Sequence, residues 1–66
     1  MNAATGYESY TVQELIALRR GIDANIEGLR VTAIGEGLTA EVARANRREL
    51  YRQQTAINAT ITRKAQ

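Results

Sequence analysis

The chain contains no cysteine and no histidine. The first absence excludes disulfides, a thiolate nucleophile and a cysteine-ligated metal. The second removes the commonest general base and the commonest metal ligand. Tryptophan, phenylalanine and proline are missing too, and the aromatic residues are Tyr7, Tyr10 and Tyr51. So few rings give no basic–aromatic platform on which nucleic-acid bases could stack. No apolar run approaches the roughly 20 residues of a membrane span. Met1 to Tyr10 shows neither the basic start nor the apolar core of a signal peptide. The carboxylates have no histidine or cysteine beside them with which to share acid–base work. The expectation is a protein that is not an enzyme, needs no cofactor and no metal, and acts through contacts with partners.

What is present is a chain of 66 residues with a net charge of +2. That length specifies one domain, and a domain of this size buries only about 60% of its unfolded surface. Chains with so thin a core gain stability by oligomerising or by docking. The charge is unevenly placed. Residues 1–39 carry three arginines against five acids, and residues 40–66 carry five arginines and Lys64 against Glu41 and Glu49. An acidic first part and a basic second part suit head-to-tail association or an acidic partner surface, beside the plainer role of a solvated helix face.

Residues 1–10 have no period and read as a flexible N-terminal arm. The folded domain then spans 11–64. Thr11 and Glu14 form a capping box at the start of a helix over 11–28. Its apolar positions Val12, Leu15, Ile16, Leu18, Ile22 and Ile26 recur at helical spacing. Gly28 offers a left-handed stop. In 29–43, Leu29, Val31 and Ala33 alternate with Arg30, Thr32 and Ile34, and a second alternating run follows Gly35-Glu36-Gly37. Period two around a glycine turn reads as a β-hairpin, pairing Val31 with Ala40 and Leu29 with Val42. Asn46 and Glu49 then open a helix over 46–63, with Leu50, Gln54, Ile57 and Ile61 on one stripe. The fold class that follows is α+β, two helices flanking a small antiparallel hairpin. Its core would comprise Leu15, Ile22, Ile26, Val31, Leu50 and Ile57. A second reading has no strands. Ile22, Ile26, Leu29 and Ala33 also step at 4-3-4, and residues 40–45 favour helix by propensity. That version is an all-α antiparallel helical hairpin with Gly35-Glu36-Gly37 as its loop.

The segments Tyr10–Ile22, Gly28–Val31 and Asn46–Leu50, in the order capped helix, glycine, hairpin, capped helix, resemble the gpW-type head–tail joining proteins of tailed bacteriophages. The resemblance implies a structural adaptor of the virion, present in the host cytoplasm during assembly. Copies of the chain would form a ring between the portal of the filled head and the tail, contacting portal and tail proteins. Packaged DNA would lie nearby without sequence-specific binding, and no membrane would be involved. The candidate partner-binding residues are Tyr7 and Tyr10 on the arm and Arg44, Arg47, Arg48 and Arg52 on the basic half. Alternative functions are a small nucleic-acid-binding phage regulator and a helical interaction or inhibitor protein.

Overall fold

Residues 6–66 are described by a computed structural model. Among the described residues three helices follow one another: α1 from Val12–Gly28, α2 from Arg30–Ile34 and α3 from Leu38–Ala65. No strand occurs among the described residues. The hairpin expected at 29–43 is therefore not formed, and the α+β class gives way to the all-α helical hairpin.

The physical reason lies in the backbone ladder. The Leu29 N–H donates to the Asn25 carbonyl at 3.2 Å, and the Leu29 carbonyl accepts from the Ala33 N–H at 2.9 Å. Helical bonding thus passes through Leu29, so α1 and α2 form one nearly continuous rod. Gly28 lies inside that rod. Among the described residues only Gly37 has positive φ, at 95°; it caps the start of α3, while the rod ends at Gly35 in an extended conformation, so no left-handed stop forms at Gly28. Ala40, Glu41, Ala43 and Arg44 are good helix formers, so α3 begins at Leu38 rather than at Asn46. An isolated two-stranded hairpin would have been marginal in any case.

The start of α1 is as the sequence indicates. The Glu14 N–H donates to the Thr11 hydroxyl at 3.1 Å, and the Thr11 N–H donates to Glu14 Oε1 at 2.9 Å. That bond and the Thr11 hydroxyl hold the Glu14 carboxyl below its ordinary value of 4.5.

The long helices α1 and α3 pack antiparallel. Leu15 and Ile57 are fully buried between them, and Ile26 is 6% exposed. Ala40, Ala43, Arg47, Leu50, Gln54, Ile57 and Ile61 form a 3-4 repeat along α3, the spacing of a helix–helix seam. Thr60 is also fully buried, its hydroxyl donating to the Ala56 carbonyl at 2.9 Å. Of the expected core, Ile22 and Leu50 are half-buried and Val31 is 73% exposed. The chain measures 43 × 23 × 14 Å. Fourteen ångströms is little more than one helix diameter. The fold is a single layer of helices.

Candidate interaction surface

The six residues singled out in the sequence fall into different settings. Tyr7 is half-buried and Tyr10 exposed, their ring centres 6.3 Å apart and tilted by 44°. The Tyr10 N–H closes a turn onto the Tyr7 carbonyl at 3.2 Å. Glu8, between them, is held from α3: Arg63 pairs with its carboxylate, and Lys64 Nζ donates to its carbonyl at 2.8 Å. Residues 6–10 are thus tied to the end of α3. Residues 1–5 of the expected arm lie outside the described residues.

Arg44 and Arg47 point inward on the backbone. Arg44 Nη1 donates to the carbonyls of Ala33, at 2.9 Å, and Gly35, at 3.0 Å. Arg47 Nε donates to the Ile26 carbonyl at 3.2 Å, and its guanidinium lies 5.6 Å from the Tyr51 ring centre. Carbonyls in the last turn of a helix have no intrahelical partner. Arg44 supplies donors to the end of α2, and Arg47 adds a second donor to an Ile26 carbonyl that also accepts from the Leu29 N–H at 3.3 Å, so both fasten α3 to the α1–α2 rod. Arg48 and Arg52 stand out in solvent, Arg52 beside Glu49 at 3.0 Å. The four arginines do not form one patch.

Sequence reasoning missed the most conspicuous feature, at the turn of the hairpin. There the buried residues are Ala33, Ala40 and Ala43, at 7%, 3% and 3% exposure. The large aliphatic ones are outside: Val31, Ile34, Leu38 and Val42 are 51–77% exposed. Small side chains inside and large ones outside reverse the usual arrangement. The signal was available, because Leu38 and Val42 lie off the 3-4 repeat of α3.

The two broad faces of the layer also differ. On one, side chains tie α1 to α3: Arg19 Nη1 donates to Asn58 Oδ1 at 3.1 Å, and Gln54 donates to Asp23. On the other, two shallow apolar grooves meet at Asn25. One, of about 520 Å³, runs past Tyr10, Glu14, Leu18, Gly21 and Ile22. The second, of about 450 Å³, lies between Gly28 and Leu29 on one side and Asn46, Glu49 and Leu50 on the other. Leu18 and Ile22 each precede by one residue the bridging positions Arg19 and Asp23, a turn of about 100° around the helix.

No family model matches the chain, and neither the curated proteins nor the solved structures provide a match. Among the described residues no three histidine, cysteine, aspartate or glutamate side chains cluster to hold a metal ion. No described helix is long and apolar enough to cross a membrane. What the surface offers chemically is apolar area, with Glu14 and Glu49 in the grooves and an exposed guanidinium at Arg48.

Of the three segments behind the phage resemblance, Tyr10–Ile22 has the structural role assigned to it, a Thr-capped helix start. Gly28–Val31 is helix rather than strand, and Asn46–Leu50 lies within α3 instead of opening it.

Proposed function

We propose that the chain is a non-enzymatic assembly subunit, a helical hairpin whose uncovered apolar surface is buried against copies of itself in a larger structure. The observation that carries this reading is the reversed turn region, with alanines inside and Val31, Ile34, Leu38 and Val42 outside. Four large aliphatic side chains left in solvent on the two sides of one turn are apolar area that a partner can bury. The single-layer build supports the same reading, because domains are built of packed layers and this one has none on either broad face.

The specific form we propose is a virion adaptor between phage head and tail. It is supported by the resemblance in Tyr10–Ile22, where the capped helix start has its assigned place. A ring needs contacts between two different surfaces of neighbouring copies. The aliphatic turn at one end and the tyrosine-bearing, basic end at the other provide two such surfaces.

The test replaces Val31, Ile34, Leu38 and Val42 together with serine. Sedimentation equilibrium should show the natural chain building species larger than a pair as concentration rises and the variant stopping at the pair, while circular dichroism shows both equally helical. A natural chain that stays monomeric up to its solubility limit would refute the reading.

A further inference from the structure

We infer that two copies of the chain pair through the grooved face, so that two hairpins stack into a four-helix arrangement. This rests on the assembly reading above and names the surface of its first contact.

Three observations converge on that face and that occupant. The first is area. A face of 43 by 23 Å covers ~1,000 Å², and a standard interface takes about 800 Å² from each partner. The second is shape. Both grooves open on the same side and meet at Asn25, near the middle of the α1–α2 rod, so a layer laid over them covers both at once. A Cβ built at Gly21 or Gly28 has nothing within 4 Å; the space above the helix backbone is open there, and a neighbouring helix can come close. The third is chemistry. The opposite face already uses Arg19, Asp23, Gln54 and Asn58 on one another. The grooved face offers Leu18, Ile22, Leu29 and Leu50 with neutral Asn25 and Asn46, and its carboxylates Glu14 and Glu49 are set apart in separate grooves. A self-complementary, isologous contact needs such a face, since the same patch must meet itself without opposing like charges at its centre.

The experiment is sedimentation equilibrium of the full chain against two single variants. Gly21→Lys places a charge in the groove, and its side chain has room in the monomer, so circular dichroism should show the helix retained or strengthened. It should weaken pairing by at least about tenfold. Arg48→Glu, outside the grooves, should change pairing by less than about twofold. A second readout uses the absence of native cysteine. Asn25→Cys should form a disulfide-linked pair under mild oxidation faster than Arg48→Cys. If the chain associates but Gly21→Lys has no effect, or Arg48→Cys cross-links faster, the inference is wrong about the surface while the assembly reading stands. If the chain does not associate at all, both fail.

Discussion

The turn of the hairpin permits a stringent test, because the structure inverts what side-chain size alone would suggest there. Ala43 is 3% exposed against the α2 rod, and Leu38 is 76% exposed one turn earlier on α3. Replacing Ala43 with leucine adds three carbons to a filled seam, and overpacking of that kind costs about 1–3 kcal/mol. Replacing Leu38 with alanine removes three carbons that touch mostly solvent, a change of roughly 0.5 kcal/mol or less. A core of this size rarely supplies more than about 3–5 kcal/mol, so Ala43→Leu should remove a large share of the stability and Leu38→Ala almost none. The assay is urea unfolding followed by far-UV circular dichroism in dilute solution, where pairing adds little. The midpoint should fall for Ala43→Leu at unchanged slope. If Leu38→Ala costs ~2–5 kcal/mol, as a buried leucine does, and Ala43→Leu is neutral, the face of α3 has been assigned wrongly and the reversed turn does not exist.

Other consequences follow from the same contacts. Ile57→Ala, at a fully buried position, should cost about 2–5 kcal/mol and leave the isolated chain largely unfolded by circular dichroism. Arg44→Ala and Arg47→Ala should each lower stability by about 1–2 kcal/mol in urea titration, since each removes a charged donor from helix-end carbonyls. Arg48→Ala should cost no more than roughly 0.5 kcal/mol; equal losses at all three sites would contradict the inward placement of Arg44 and Arg47. The Glu14 carboxyl is held below 4.5 in the folded chain, so its capping contribution is present above that pH and is lost as the pH falls through the lowered value. The difference in melting temperature between the natural chain and Glu14→Gln should therefore be constant near neutrality and shrink below pH 4.5; a difference that grows on acidification would overturn this assignment.

Much of α1 is legible in the sequence because its signals are local. Thr11 and Glu14 form a box readable at three-residue spacing, and Leu15 and Ile26 are placed by helical period. Ile57 and its stripe are legible for the same reason. The segment 29–43 is not, because Leu29, Val31 and Ala33 satisfy periods of two and of three to four at once. What decides it is cooperative. A ladder already running through Asn25 continues across Leu29 at no nucleation cost, whereas a hairpin would need a new nucleus. The start of α3 was misplaced because Asn46 and Glu49 imitate a cap, while the residue that permits the turn is Gly37. The candidate surface was legible in composition but not in position. The arginines stand out as charges, yet Arg44 and Arg47 are drawn inward by carbonyls at helix ends that exist only once 29–43 is helical. The same change of structure turns Val31, Ile34, Leu38 and Val42 outward.

Association is the claim on which the account depends, and the thermal midpoint measured across a wide range of protein concentration tests it most directly. Each tenfold rise in concentration contributes about 1.4 kcal/mol per associated pair, and a domain of this size shifts by about 4–8 °C per kcal/mol. The midpoint should climb by a few degrees per decade of concentration, and by less for Gly21→Lys, whose pairing surface is blocked. A midpoint that stays constant over the whole range, in a chain that is fully helical and monomeric, would contradict it.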